Sequence, residues 1–253
     1  MKHDKEFEMY VNVAQKPFSG WDFSFVTETG RMSSNMLSWS YGSMVIPLIR
    51  DANSMLDMGT GGGELLSKLQ PFPEMICATE AYLPNVPIAK KRLEPLGVKV
   101  HQIGEDNVLP FTDRQFDLII NKHEEYSPKE VRRVISNDGV FLTQQVGGTD
   151  CIEINEHFGV SLNGAFSHWD LSFAEKELMD HGFVVLEAKE EFPVQRFYDV
   201  GALLYYLKAI PWQIPNFQSE NYLEEIYNIH LIIQSKGYFD VRQHRFILKA
   251  RAN

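Results

Sequence analysis

From Ser54 onward the chain alternates short apolar runs with amphipathic stretches, and this alternation narrows the possible folds more than any other feature. The apolar runs are SMLDM (54–58), MICATE (75–80), VKVHQI (98–103), FDLIIN (116–121) and VFLTQQV (140–146). Helical periodicity lies between them at about 63–70, 84–94 and 128–136, with Pro84 and Pro87 in the first turns of the second stretch. Strands that alternate with helices predict βαβ units and a parallel sheet covered on both faces. Right-handed crossovers then give a doubly wound α/β domain. Further on, a helix is expected over 172–181, ended by Gly182, and a strand over 183–191. Helices over 202–210 and 221–235 and a last strand over 244–251 complete the expectation.

Charge and cysteine content narrow the partners. The 253 residues carry a formal net charge of −10. The excess acid sits in the middle, with net −5 over 51–126 and −6 over 127–190, while both ends are close to neutral. Binding a phosphate backbone needs clustered cations, so nucleic acid is disfavoured, and so is an anionic membrane surface. Cys77 and Cys151 cannot build a disulfide framework and point to a reducing compartment. With no apolar leader in MKHDKEFEMY and no apolar run of 18 residues, a cytoplasmic protein is expected. The oligomeric state is not legible.

The stretch MLDMGTGGGELLSKL (55–69) carries the most chemistry. A strand ends at Asp57, and Gly59, Gly61, Gly62 and Gly63 follow, ahead of an expected helix. Glycines let the backbone turn sharply and approach a ligand, and a helix N-terminus favours an anionic group. A dinucleotide fingerprint starting at Gly59 requires glycine at 64, where Glu64 stands, and no glycine-lysine pair completes a P-loop. What remains is D-x-G-x-G-x-G, met by Asp57, Gly59, Gly61 and Gly63.

In this stretch the sequence resembles the class I S-adenosylmethionine-dependent methyltransferases, and within them the small-molecule "methyltransferase type 11"-like group. LDMGTGGGE matches the loop that wraps the methionine part of the cofactor, and MICATE ends in Glu80, at the place of the acidic residue that holds the ribose hydroxyls. IGEDNVLPFTDRQFDLII (103–120) matches a third motif through Gly104, Leu109, Pro110, Phe111, Asp113, Phe116 and Asp117. There Glu105 and Asp106 are the alternatives for the adenine contact. VRRVISNDGVFLTQQVGG follows as helix and fifth strand, with Asn137–Asp138–Gly139 at the turn.

The resemblance implies a seven-stranded, mostly parallel sheet of order 3-2-1-4-5-7-6 with the last strand antiparallel. It implies S-adenosylmethionine as cofactor and a small-molecule acceptor. It also implies cofactor contacts from Asp57, Gly59, Thr60, Gly61, Gly63, Glu80, Ala81, Glu105 or Asp106, and Asn121. An RNA or protein methyltransferase, or a cofactor-binding protein without turnover, are the alternatives.

Ligands of open α/β sheets bind outside the carboxyl ends of the strands. The loop NKHEEYSP (121–128) lies there, and His123 has the residue type of a general base, or is a structural loop histidine. Glu124 and Glu125 belong to the loop that, by the resemblance, faces the methyl group, or read as a solvated helix start. Residues 1–43, with Trp21, Phe23, Phe25, Trp39 and Tyr41, are expected as a lid or cap on a methyltransferase domain spanning 44–253. Arg31 in that segment is a candidate clamp for the cofactor or a substrate carboxylate. Residues 197–237 are expected as a helical insertion near the substrate, and Asp170 as a helix cap.

Overall fold

The computed structural model describes residues 4–13, 16–17, 23–104 and 108–253. In chain order these form α1 (Lys5–Val13), α2 (Ser24–Thr27), β1 (Met32–Ser34), α3 (Tyr41–Asp51), β2 (Ser54–Met58), β3 (Met75–Glu80), α4 (Val86–Leu93), β4 (Lys99–Gln102), β5 (Phe116–Lys122), α5 (Pro128–Val134) and β6 (Ile135–Val146). Then come α6 (Ile152–Phe158), α7 (Leu171–Asp180), β7 (Phe183–Glu191), β8 (Val194–Phe197), α8 (Val200–Ala209), α9 (Leu223–Lys236), β9 (Phe239–Arg242) and β10 (Arg245–Ala252). By contact the chain divides into two compact units. The larger holds residues 37–146, 169–190 and 245–253, and the smaller holds 1–36, 147–168 and 191–244. The 1–43 segment is therefore shared between the units, and 197–237 lies wholly in the smaller one.

The larger unit is built on a seven-stranded sheet of order β4-β3-β2-β5-β6-β10-β7. Numbered within the sheet, this is the expected 3-2-1-4-5-7-6. β2 runs parallel to β3 and β5, β5 runs parallel to β6, and β10 is antiparallel to β6. Successive residues of a strand face opposite sides of the sheet, so each apolar run feeds two cores. Leu56, Cys77, Ile119, Phe141 and Phe246 pack on one face with Val131 and Val134 of α5 and Ala174 and Leu178 of α7. Met55, Ile76, Leu118, Leu142 and Ile247 pack on the other with Val45 and Ile49 of α3 and Ala89 and Leu93 of α4. Asp117 acts structurally: its carboxylate accepts the backbone N–H of Asn53 (2.9 Å) and Ser54 (3.0 Å) and so pins β2 beside β5. Asp170 caps α7 by accepting the Phe173 N–H at 2.8 Å.

The helix expected over 63–70 is not formed. Only a single 3-10 turn at Leu66–Lys68 follows the glycine loop. Pro71 and Pro73 stop it, because a residue before proline is driven out of the α region and proline has no N–H to donate. No helix dipole therefore backs the glycine loop. The connection from β4 to β5 also carries no helix among its described residues. Its second half is held by Arg133 of α5, which donates to the carbonyls of Phe111 (2.7 Å) and Leu109 (2.9 Å) and pairs with Glu130 (2.7 Å) and Asp113 (3.1 Å). A cavity of about 560 Å³, lined by Cys77, His101, Phe111 and Arg133, opens on this thinly covered face of β3 and β4.

The smaller unit has an antiparallel sheet of order β1-β8-β9, with Phe197 opposite both Met32 and Phe239. The helix α8 is buried from Val200 to Leu207, against Phe7, Ile154, Ile226 and Ile229. Both helices of 197–237 fall within two residues of their expected bounds. The strands at 194–197 and 239–242 were not foreseen, since four residues are too few to display a period of two.

Arg133 is the main fastening of the 108–115 loop. Arg133→Met is expected to lower the unfolding free energy by about 2 kcal/mol, read as a fall in the urea midpoint at unchanged m-value.

Candidate active site

Parallel pairing brings the ends of four strands to one edge of the larger unit. Asp57 stands opposite Ala78, Met58 opposite Asn121, and Glu80 opposite Gln102. The loop that leaves β2 turns through Gly59, Gly61 and Gly63, all in the left-handed region with φ of 67°, 61° and 79°. A Cβ at Gly59 would fall 2.4 Å from Glu124, and one at Gly63 would fall 2.7 Å from Leu93. At Gly61 it would meet nothing within 4 Å. Packing demands the outer two glycines, whereas Gly61 forms an open turn. The loop is tied to β3, since Thr60 N–H donates to the Thr79 carbonyl (2.9 Å) and Gly59 N–H to the Thr79 hydroxyl (3.4 Å). Arg92 of α4 donates to the Gly62 carbonyl and to the Glu64 carboxylate.

Three carboxylates converge on this loop. Glu80 is 5 % exposed and accepts the N–H of Tyr82 at 2.7 Å, together with those of Gly61 and Ala81. Burial still raises its carboxyl above the ordinary range. Asp57, also buried, is pushed up to about 7 by desolvation, with the Thr60 hydroxyl opposing the rise and Glu80 adding to it. Glu124 is likewise raised to about 7, by burial first and then by the charges of Glu80 and Glu125. Among the described residues none of the three forms an ion pair. The reading of Glu124 as part of a solvated helix start is corrected here: its side chain lies against Gly59, brought there by the pairing of β2 with β5.

Asn121 is fully buried. Its Oδ1 accepts the Thr143 hydroxyl (2.8 Å) and the Gln145 amide (2.6 Å), and its Nδ2 has no partner among the described residues. Tyr41 donates its hydroxyl to the Asn121 carbonyl at 3.1 Å. His123 follows at φ 60°, with Nε2 3.0 Å from the amide nitrogen of Gln144. The residue is exposed at the surface, and partial desolvation acts on the ring. That desolvation, with the charges of Arg245 and Lys122, holds the imidazole well below the usual histidine range. It is neutral at pH 7.

Asp57, Gly59, Thr60, Gly61, Gly63, Glu80, Ala81, Asn121 and His123 thus share one unit. Glu105 and Asp106, the alternatives for the adenine contact, lie outside the described residues, as does Trp21. Arg31 belongs to the smaller unit, where its guanidinium grips Asp199 through two hydrogen bonds of 2.8 and 2.6 Å. Asp199 also caps α8, accepting the Ala202 N–H at 2.9 Å. Thr143, Gln144 and Gln145 were not singled out from the sequence, and Trp39 was named only among the aromatics of the expected lid. They belong to no short motif and reach this edge only through sheet pairing.

An open left-handed turn at Gly61 beside unpaired carboxylates suits a ligand with a cationic centre and hydroxyl donors. Residues 56–143 match the family model of the methyltransferase domain. No curated protein matches the chain in sequence. The fold is shared with a candidate methyltransferase from Bacillus halodurans C-125, at 17% identity over 84% of this chain and 99% of that one, with a TM-score of 0.60. It is shared with the YcgJ protein from Bacillus subtilis at 15% identity, over 84% and 97% of the two chains, with a TM-score of 0.55. Geranyl diphosphate methyltransferase in complex with S-adenosylmethionine aligns at 13% identity over 96% and 94%, with a TM-score of 0.50. The larger unit is therefore a Rossmann-like methyltransferase domain. The match over 56–143 makes this part of the larger unit a methyltransferase domain, and S-adenosylmethionine is the cofactor that its ordered motifs imply.

Two measurements test the site. Gly61→Val forces a branched residue into the left-handed region and is expected to weaken S-adenosylhomocysteine binding at least tenfold by calorimetry while the native circular dichroism persists. The second concerns pH. The folded protein keeps protons on Asp57 and Glu124 up to about pH 7, whereas unfolded carboxyls lose them near pH 4. The folded state then binds more protons between those values, so the stability of the free protein is expected to fall as pH rises through that window. A bound sulfonium favours the ionised carboxylates. Affinity for S-adenosylmethionine is therefore expected to rise roughly three- to tenfold from pH 6 to pH 8, and less so for the neutral thioether product.

Proposed function

We propose that this enzyme methylates a small-molecule acceptor, that the cofactor lies along the Gly59–Gly63 loop, and that Glu80 accepts its ribose hydroxyls. The observation that carries the reading is the convergence of Asp57, Glu80 and Glu124 at the carboxyl edge of the sheet without a cationic partner among the described residues. A sulfonium is attracted by such an edge, and a polyphosphate backbone is repelled by it. A vicinal diol supplies two O–H donors, and a carboxylate that already takes backbone N–H groups has lone pairs left for them. Tyr82 and Leu83 directly follow this strand end and are both exposed, which suits the face of an adenine ring. The orphaned Asn121 Nδ2 supplies a further donor.

When bound, the cofactor supplies an electrophilic methyl group, whose carbon–sulfur bond breaks as the bond to the acceptor forms, leaving a neutral thioether. The protein's share is orientation and a water-poor setting, which Tyr41, Trp39 and the buried end of β5 provide. Glu124, facing Gly59 from the opposite loop, sits where it favours the positively charged donor over the product. The geranyl diphosphate enzyme of similar fold acts on a small acceptor, which accords with this reading. Cys77 and Cys151, both buried as thiols, accord with a cytoplasmic location. No helix of the described residues is long and apolar enough to cross a membrane.

Turnover of a methyl-labelled donor against a library of small acceptors, with RNA and protein extracts as parallel arms, tests the proposal. Label is expected in the small-molecule arm, and Glu80→Ala is expected to raise the Kd for S-adenosylhomocysteine at least tenfold without unfolding the chain. Label confined to RNA or protein overturns the acceptor class. An unchanged Kd overturns the ribose assignment.

A further inference from the structure

Resting on the methyltransferase reading, the geometry points to His123 as a fixed neutral hydrogen-bond donor, presenting Nδ1–H and flanked by Lys122 and Arg245, that receives an anionic group on the methyl acceptor. Trp39 and Gln144 are the positioning residues that set its tautomer. The residue type alone marks His123 as a candidate base, and the hydrogen bonds around it assign the opposite role.

The chain of donors runs in one direction. Trp39 Nε1, which can only donate, lies 2.9 Å from Gln144 Oε1. That contact orients the amide, because the flipped form would set N–H against N–H. The Gln144 amide nitrogen must then face His123 Nε2, at 3.0 Å. An amide nitrogen has no lone pair to accept with, so Nε2 is the acceptor and the imidazole proton resides on Nδ1. Trp39 and Gln144 are both buried, so water does not compete for either contact. The backbone repeats the tie, with His123 N–H donating to the Gln144 carbonyl at 2.8 Å, and it holds His123 at its left-handed φ.

The lone pair that a base requires is therefore consumed. What the ring has left is a donor. The charges that act on the ring are those of Arg245 and Lys122, the latter held 6.0 Å from the centre of the Tyr41 ring. Desolvation first, and these two charges with it, holds the imidazole below the usual histidine range, and the charges leave its surroundings electropositive. A neutral N–H between two cations suits a carboxylate or another oxyanion, and it does not suit an ammonium. The acidic glycine loop and this basic corner are thereby set for opposite charges, the sulfonium at one and the anionic end of the acceptor at the other.

Long-range proton–nitrogen correlation on the full chain with nitrogen-15 histidine tests the assignment directly. In the free protein His123 is expected as the Nδ1–H tautomer. Gln144→Glu keeps an acceptor for Trp39 but offers His123 a carboxylate, and it is expected to move the proton to Nε2 or to protonate the ring. With S-adenosylhomocysteine bound, a series of carboxylates from acetate to benzoate is expected to shift the His123 Nδ1 resonance saturably, while the matching neutral amides do not. His123→Asn places an amide N–H near the lost Nδ1–H and tolerates the left-handed backbone. It is expected to bind the best carboxylate within about threefold of wild type, with His123→Ala and Gln144→Glu at least tenfold weaker. A wild-type Nε2–H tautomer, a carboxylate series without effect, or an asparagine variant no better than alanine each overturns the proposal. Calorimetry with S-adenosylhomocysteine runs alongside. Loss of that binding in wild type speaks against the methyltransferase reading, whereas a wrong tautomer with binding intact speaks against this one.

Discussion

Desolvation of Asp57, Glu80 and Glu124 around a loop of glycines is the constraint on which the rest of this site depends. A carboxylate moved out of water loses hydration that only hydrogen bonds or a cation can replace. Glu80 recovers part of it from the N–H groups of Gly61, Ala81 and Tyr82, while Asp57 and Glu124 respond by holding their protons to about pH 7. The domain keeps this arrangement because the parallel pairing of β2 with β3 and β5 leaves no other place for the strand ends.

The same edge shows how backbone and side chain cooperate. Thr79 holds the glycine loop through both its carbonyl and its hydroxyl, so the loop's position follows from β3 rather than from a helix behind it. A ligand there is met by carboxylates and turned peptide groups, without a helix dipole. On the β5 side, buried amides of β6 take over. Gln145 and Thr143 orient Asn121, and Gln144 orients His123. Two adjacent glutamines on one strand serve two different residues because they point to opposite faces of the sheet.

Reading the site from the sequence worked where chemistry is local. D-x-G-x-G-x-G and the acidic end of MICATE are short strings, and both stand at strand ends, as their patterns predict. It failed where a side chain's meaning depends on a distant partner. Arg31 looked free among small residues, but Asp199, 168 positions away, takes its guanidinium. Glu124 looked solvated, but Gly59 covers it. The helix after the glycine loop was lost to Pro71 and Pro73, a local signal outweighed by the apolar periodicity of ELLSKL.

The strands of the larger sheet, several of the helices and the order of that sheet follow from the sequence by itself, because periodicity, glycine and proline act within a few residues and the motif order carries a known topology. So does the glycine turn after β2. The proton states of Asp57 and Glu124, the tautomer of His123 and the pairing of Arg31 were decided only by tertiary structure. Each depends on burial and on partners that the chain brings together from far apart, and neither quantity is written in any short window of residues.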